Sequence, residues 1–92
     1  MSTDDIRDTA VPSDDELPMH HLVVDACGLV CPLPILKAKK ALAQLESGQV
    51  LKVLTTDRTA IKDFQAFAKQ TGNTLMLQHQ AGPRVLHFLR RR

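Results

Sequence analysis

The chain contains no Trp and no Tyr, and three Phe are its only phenyl-type side chains. Proteins that recognise single-stranded nucleic acids stack bases on aromatic rings, so this scarcity argues against direct nucleic-acid binding. No apolar run approaches the roughly 20 residues of a membrane-spanning helix. The N-terminus is acidic and lacks the apolar segment of a secretory signal. Two cysteines do not suggest a disulfide scaffold, so we expect a cytoplasmic protein with reduced thiols and no membrane contact.

Charge divides the sequence into two parts. Residues 1–18 carry six acidic side chains and one Arg, a net charge of −5, whereas the remainder carries 11 basic and four acidic side chains, a net charge of +7. This pattern predicts a disordered acidic tail over 1–18, which either only solubilises the chain or screens its basic part from wrong partners. Residues 19–92 then form one domain, because 43% apolar residues suffice for one modest core.

Hydrophobic periodicity predicts the element order β-α-β-α-β-β. The predicted elements are a strand at 21–25, a helix at 32–46, a strand at 50–56, a helix at 60–71, and strands at 75–77 and 85–89 around a hairpin turn at 81–83. The buried helix positions are predicted to be Ile35, Ala38, Leu42, Leu45, Ile61, Phe64, Phe67 and Ala68. Gly48 and Gly72 are predicted to end the helices. We therefore expect an α/β (α+β) two-layer sandwich in which both helices cover one face of a four-stranded mixed sheet.

The tetrad Cys31-Pro32-Leu33-Pro34 stands between the first predicted strand and the first helix. Pro32 fits the first helical position and Pro34 the first turn, where backbone N–H groups lack intrahelical partners. A core position rarely uses such a proline pair, so we expect an exposed Cys31 thiol rather than a buried one. The helix dipole favours the thiolate, whereas the prolines remove two N–H donors. These effects predict a moderately lowered thiol pKa, and nearby cations could add to the lowering: Lys37, Lys39, Lys40 and Arg58.

The stretch DACGLVCPLP at 25–34 resembles the signature of the TusA/SirA/YedF sulfur-carrier family. The likeness continues through GQVL at 48–51, TD at 56–57 and KDF at 62–64, and it covers about residues 20–92. The resemblance implies a fold like the C-terminal domain of translation initiation factor three. It also implies a protein-to-protein sulfur relay, in which Cys31 bears a persulfide.

The resemblance implies partners as well. Cys31 would accept sulfur from a cysteine desulfurase or a rhodanese and pass it to an acceptor protein for tRNA thiolation, molybdenum-cofactor maturation or sulfur metabolism. It implies no cofactor beyond the covalent persulfide. The family positions that contact donors or acceptors correspond to Leu33, Lys39 and Asp57. The sequence departs from the family pattern at Cys27 and Arg58, and a neutral Leu33 stands where some tRNA-thiolation members have Glu.

Basic residues are expected to guide a monomeric carrier toward acidic partner surfaces. They are Lys37, Lys39 and Lys40 on the first helix, and Arg58 and Lys62 at the start of the second.

Several alternatives stay open from the residues alone. Cys27 either packs in the loop or serves as a redox partner of Cys31, in a thiol switch or an oxidoreductase. The basic surface allows a small nucleic-acid-associated regulatory module, although Lys-rich helix faces are more often only solvated. The four histidines show no metal-ligand spacing, so no metal site is expected. Asp57 is either part of the site or a helix cap, and Asp63 is expected only to interact with the helix dipole.

Overall fold

The computed structural model describes residues 17–92, in which a four-stranded sheet carries two helices on one face. The elements are β1 (Leu22–Ala26), α1 (Leu33–Leu42), β2 (Val50–Thr55), α2 (Ala60–Thr71), β3 (Thr74–Ala81) and β4 (Arg84–Arg90). The predicted element order and α+β class are therefore confirmed. Of the predicted tail, residues 1–16 lie outside the described residues. The likeness to the initiation-factor domain stays a prediction.

The strand order is β1-β2-β4-β3, with β1 parallel to β2 and β4 antiparallel to both of its neighbours. A parallel pair needs a long crossover, which α1 provides between β1 and β2. A short hairpin suffices for the antiparallel β3 and β4. The central strands β2 and β4 carry apolar residues on both faces, although the helices cover only one of them. The sheet is mixed, as predicted.

The larger apolar cluster lies between the helices and the sheet. Phe64 of α2 is fully buried there against Leu51, Val53 and Leu89 of the sheet, together with Ala38 of α1. Full burial of one such side chain contributes about 1.5–3 kcal/mol to folding. The predicted helix positions Ala38, Leu42, Phe64, Phe67 and Ala68 are buried, whereas Ile35, Leu45 and Ile61 are only half-buried. Among the described helical residues, Pro34, Ala41 and Ala60 are the further buried positions.

A second, smaller cluster lies on the opposite face of the sheet. It consists of Val50, Leu86 and Phe88, with Leu17, Leu54 and Leu77 packed against it. Leu17 belongs to the segment predicted as tail, and its contact places the start of the described chain on this face.

Helix α1 is shorter than the predicted 32–46. It begins at Leu33, so Pro32 is the N-cap residue rather than the first helical one, and Pro34 is the second helical residue. Its end lies at Leu42 because the chain then tightens: the Gln44 N–H donates to the Ala41 carbonyl at 3.0 Å, three residues back. Gly48 therefore caps no helix. Its φ of +87° belongs to the turn before β2.

Helix α2 has its predicted bounds, and Gly72 ends it at φ +81° with its N–H donating to the Ala68 carbonyl at 2.9 Å. The strands differ from prediction at their ends. β1 lies one residue later than predicted, and β2 ends one residue earlier, at Thr55. β3 is much longer than 75–77, because its polar residues 78–80 pair with 85–87 of β4. β4 also gains one residue at each end, so the hairpin turn narrows to Gly82 and Pro83.

Candidate functional site

The loop from β1 to α1 is tied to the end of β2. The Gly28 N–H donates to Thr56 Oγ1 at 2.8 Å, and Gly28 has a φ of +82°, a conformation that favours glycine. The Leu29 N–H donates to the Ala26 carbonyl at 3.2 Å, and the Cys27 N–H to Asp25 Oδ1 at 3.0 Å. These bonds hold the loop in one path up to Cys31. Thr56 acts here through its side chain, a role that the sequence did not suggest.

Asp57 joins the start of α1 to the start of α2. Its Oδ2 accepts the Cys31 backbone N–H at 2.8 Å and the Thr59 hydroxyl at 3.0 Å, and its Oδ1 accepts the Thr59 N–H at 3.1 Å. The Thr59 N–H, followed by the Cys31 N–H, holds the pKa of this carboxyl below its usual range. We call this arrangement the Asp57 clamp. Asp57 is therefore not the cap of α2, because the N-cap residue is Thr59 and no side chain caps the helix. Its carboxylate instead joins Thr59 to the cysteine.

Cys31 itself is exposed and free of any disulfide. The alternative of a buried small side chain is therefore wrong. The Cys31–Pro32 peptide bond is cis. The backbone around Cys31 is fixed on both sides of the residue. The Asp57 clamp binds the Cys31 N–H, and the Leu33 N–H donates to the Val30 carbonyl at 2.9 Å.

The pKa of the Cys31 thiol is raised, not lowered as the sequence predicted. Its first cause is the Asp63 side chain, which accepts a hydrogen bond from the thiol; partial burial and the negative charges of Asp63 and Asp57 add to the effect. Cys31 and Leu33 are the two residues of the tetrad that have a backbone N–H. Both N–H groups already donate hydrogen bonds, to Asp57 and to the Val30 carbonyl, and so cannot stabilise a thiolate. The carboxylates therefore outweigh the helix dipole.

Asp63 is the residue whose influence on the Cys31 thiol sequence reasoning missed. It was expected only as a dipole partner in the first turn of α2, and it does lie in that turn. Its approach to Cys31 depends on how the two helix starts pack, which no spacing along the chain reveals. The one available signal was its place inside the KDF segment of the resemblance.

Apolar side chains flank the cysteine. Val30, Leu33 and Leu36 are 64%, 45% and 53% exposed, although large apolar residues usually avoid water. Leu33 and Leu36 lie three positions apart on α1 and so share a helix face. We call these three residues the apolar collar. Leu33 was predicted to contact partners, whereas Val30 and Leu36 were not singled out.

The predicted basic residues are all exposed, but they lie on different sides of the helices. Lys37 and Lys40 line a groove between α1 and β1, whereas Lys39 lines a groove with Phe67 and Arg91. Arg58 borders a third groove, together with Asp57 and the β3–β4 turn. Lys62 lies one turn further along α2. Lysine and arginine do not appear among the causes of the Cys31 pKa shift, so the expected lowering by nearby cations is wrong.

Cys27 is half-buried and free. Burial, followed by the hydrogen bond and charge of Asp25, raises the pKa of its thiol. Among residues 17–92, no three His, Cys, Asp or Glu side chains come close enough together to hold a metal ion. No helix in the same range is long and apolar enough to cross a bilayer.

His87 is fully buried on β4, where it pairs with Gln78; His79 belongs to the other arm of the hairpin and pairs with Leu86. Gln78 Nε2 donates to the Ile61 carbonyl, which fixes the orientation of the Gln78 amide. The same Nε2 lies 3.0 Å from His87 Nδ1, so Nδ1 is the acceptor of this hydrogen bond. Nε2 of His87 then carries the proton and faces Thr55 Oγ1 at 2.8 Å. The ring stacks on Phe64 at 4.5 Å, and burial lowers the pKa of His87 to about 4.

The chain is similar to several known proteins. A family model described as Sulfurtransferase TusA matches residues 22–91. The Sulfur carrier protein TusA of Allochromatium vinosum is 59% identical over 66 residues, which cover 72% of this chain and 86% of that protein. The Putative sulfur carrier protein YrkI of Bacillus subtilis is 48% identical over 66 residues, covering 72% and 87%. A crystal structure of a SirA-like protein from Desulfitobacterium hafniense matches with a TM-score of 0.68 and 31% identity, covering 76% of this chain and 96% of that one.

The fold and the site define a class: a small α+β domain that presents one exposed thiol at the start of a helix. The match over residues 22–91 then identifies the group within that class, and the chain belongs to the TusA family. The resemblance seen in the sequence is thereby confirmed. Members of this family are named sulfur carriers, so the general role of the chain is sulfur transfer, which involves donor and acceptor proteins.

Proposed function

We propose that Cys31 carries sulfur between proteins as a persulfide. The observation that supports this most is the exposed, free thiol on a backbone that the Asp57 clamp fixes. A donor persulfide R–S–SH reacts with the Cys31 thiol to give Cys31–S–SH and R–SH. The S–S bond of the donor breaks, a new one forms at Cys31, and the sulfur moves without net oxidation. The reverse exchange with an acceptor thiol unloads the carrier.

Asp63 acts as the general base and then as the general acid of this exchange. A thiol attacks only as the thiolate, and the Asp63 carboxylate, which raises the pKa of this thiol, is the group we assign as its proton acceptor. On attack, Asp63 takes up the proton, and it then returns the proton to the departing donor thiolate. The raised pKa keeps the empty carrier in its less reactive thiol form between encounters.

The exposed position suits exchange between two protein surfaces. The apolar collar, which includes Leu33, provides an apolar contact surface beside the sulfur. Basic residues steer acidic donor and acceptor surfaces toward it, namely Lys37, Lys39, Lys40, Arg58 and Lys62. Pro32 and Pro34 keep the approach rigid. Cys27, half-buried in the loop after β1, takes no part in the transfer.

The donor is a cysteine desulfurase or a rhodanese, and the acceptor serves tRNA thiolation, molybdenum-cofactor maturation or sulfur metabolism. The carrier acts as a monomer in the cytoplasm, where thiols stay reduced. It uses no metal and no cofactor besides its own persulfide. We find no observation that favours a nucleic-acid module, since Phe64, Phe67 and Phe88 are buried and offer no ring for base stacking.

The test is intact-mass analysis after incubation with a cysteine desulfurase and cysteine. Wild type is expected to gain the mass of one sulfur atom, whereas Cys31→Ala gains none. Cys27→Ser is the matched control, because it removes the other thiol, and it is expected to gain sulfur like wild type. Loading of Cys31→Ala, or a loss of loading in Cys27→Ser, would contradict the proposal.

A further inference from the structure

The sheet face opposite the helices, which we call the open face, carries the second apolar cluster. Residues paired across antiparallel strands point to the same side of a sheet. Lys52 pairs with Phe88 and Leu54 with Leu86, while Leu77 of β3 also pairs with Phe88. These side chains therefore share the open face, and within residues 17–92 no helix covers it.

Three cations surround this apolar cluster. Lys52 Nζ lies 5.9 Å from the centroid of the Phe88 ring. Arg84 and Arg90 are exposed, and they alternate along β4 with Leu86 and Phe88, which places them on the same face. By the same alternation, Asp25 at the edge is the one acidic residue that the described strands place on this face. The open face is therefore apolar at its centre and positive at its rim.

His79 adds an unsatisfied polar atom. It pairs with Leu86, so its ring belongs to the open face. Its Nε2 is buried and has no hydrogen-bond partner among the described residues. A buried polar atom without a partner is unfavourable, so a polar group that binds to this face and hydrogen-bonds it is favoured.

The chain itself reaches this face at its N-terminal side. Leu17 packs against the cluster, and the His20 ring lies 6.3 Å from the Phe88 ring. Residues 1–16, which precede this anchor, contain six acidic side chains and one Arg, interrupted by Ile6 and Val11. Their composition, acidic with scattered apolar residues, complements the positive rim and apolar centre of the open face.

We propose that residues 1–16 dock on the open face of the same molecule. Their carboxylates pair with Lys52, Arg84 and Arg90, and Ile6 and Val11 contact the apolar cluster. A short tether gives an effective concentration in the millimolar range, so an intrinsic affinity of about 1 mM keeps roughly half of the segment docked. The docked segment screens this face from other acidic proteins. It leaves Cys31 accessible, because α1 lies on the other face of the sheet.

Solvent paramagnetic relaxation tests this in the full chain. A neutral gadolinium chelate reports how exposed the methyl groups of Leu54, Leu77 and Leu86 are. The comparison protein carries D4N, D5N, D8N, D14N, D15N and E16Q. We expect relaxation of these methyls to increase about twofold in the variant, as half-occupancy requires, and also in wild type at 1 M salt. The methyls of Leu36, exposed on α1, serve as the unchanged reference.

Two single substitutions provide a matched pair for the same readout. Lys52→Glu reverses one charge on the open face and is expected to release the segment. Lys69→Glu makes the same change on an exposed α2 position and is expected to leave the methyls protected. Equal relaxation in wild type and the six-residue variant would overturn the proposal. So would a protection that grows with protein concentration, because a second copy would then be the occupant.

Discussion

At the scale of single residues, the sulfur of Cys31 is controlled by carboxylates rather than by cations. Asp57 accepts the backbone N–H of Cys31, and Asp63 is the first cause of the raised pKa of its thiol. A thiol at a helix start is usually acidified by the helix dipole. Here the two carboxylates raise its pKa, so the protonated thiol is favoured in the free protein.

Replacing Asp63 by Asn should lower the pKa of the Cys31 thiol. The substitution removes the negative charge of Asp63 and replaces its charged hydrogen-bond acceptor by a weaker, neutral amide oxygen. We expect the rate of Cys31 alkylation by iodoacetamide, measured against pH in a Cys27→Ser background, to rise at lower pH than in the parent. At neutral pH the variant should therefore react faster.

Glu46→Gln is the control for this experiment, since Glu46 is exposed beyond the end of α1 and contributes nothing to the Cys31 pKa. Its alkylation profile should match the parent. If the Asp63→Asn profile shifted upward or did not shift, the assignment of Asp63 would be wrong.

At the scale of elements, the Asp57 clamp makes two helix starts into one unit. Asp57→Ala removes the acceptor of Cys31 and Thr59, so the loop from β1 to α1 loses its fixed orientation. We expect sulfur loading from a desulfurase to slow by roughly tenfold to a hundredfold, because small displacements of a reacting group are that costly. Iodoacetamide, which needs no oriented approach, should still alkylate Cys31.

Thr59→Ala is the matched control, because it removes only the hydroxyl contact with Asp57 and keeps the backbone one. Loading should remain close to wild type. Wild-type loading by Asp57→Ala would show that the clamp does not position Cys31.

The buried His87 connects β2, β3 and α2 and should make stability depend on pH. Its pKa is about 4 when folded, against an ordinary 6.5, so the unfolded chain binds more protons between these values. The His87 contribution is therefore complete above pH 6.5 and is lost as pH falls toward 4. At about 1.4 kcal/mol per pKa unit, the free energy of unfolding should fall by up to about 3 kcal/mol.

Urea unfolding at pH 4.5 and pH 7 measures this. His87→Gln should reduce the difference between the two pH values, whereas His20→Gln, at an exposed histidine, should retain it. A full pH difference in His87→Gln would assign the effect to other groups.

The sequence predicted best those elements whose hydrophobic periodicity and end residues are clear. Helix α2 was predicted with its bounds because Phe64 and Phe67 mark one face and Gly72 ends it. β3 was predicted too short because Gln78, His79 and Gln80 show no hydrophobic alternation; their pairing with β4 defines the strand. Cys31 was recognisable from its local motif. The effect of Asp63 on its pKa was not, because that contact forms only when both helices pack on the sheet.

At the scale of the whole molecule, the basic residues are distributed around the helices rather than gathered in one patch. Arg58 and Lys62 at the start of α2 follow the Asp57 clamp most closely along the chain. Reversing both charges should slow sulfur transfer from an acidic donor roughly tenfold at low salt, because electrostatic steering is lost. The difference from wild type should shrink as salt screens these exposed charges.

The measurement is the transfer rate at several salt concentrations for Arg58→Glu/Lys62→Glu. The control is Lys40→Glu/Lys69→Glu, which makes the same charge change further from Asp57 and should slow transfer less. Equal slowing by both double variants would mean that net charge, not its position, guides the encounter.

The central claim is that one sulfur atom stays on Cys31 between a donor and an acceptor. The most direct test is fragmentation mass spectrometry of the tryptic peptide 8–37, which contains both cysteines, before and after a loaded carrier meets an acceptor protein. The account predicts one added sulfur on Cys31, none on Cys27, and its disappearance as the acceptor gains it. Sulfur found on Cys27, or retained on Cys31 in the presence of every acceptor class named above, would contradict it.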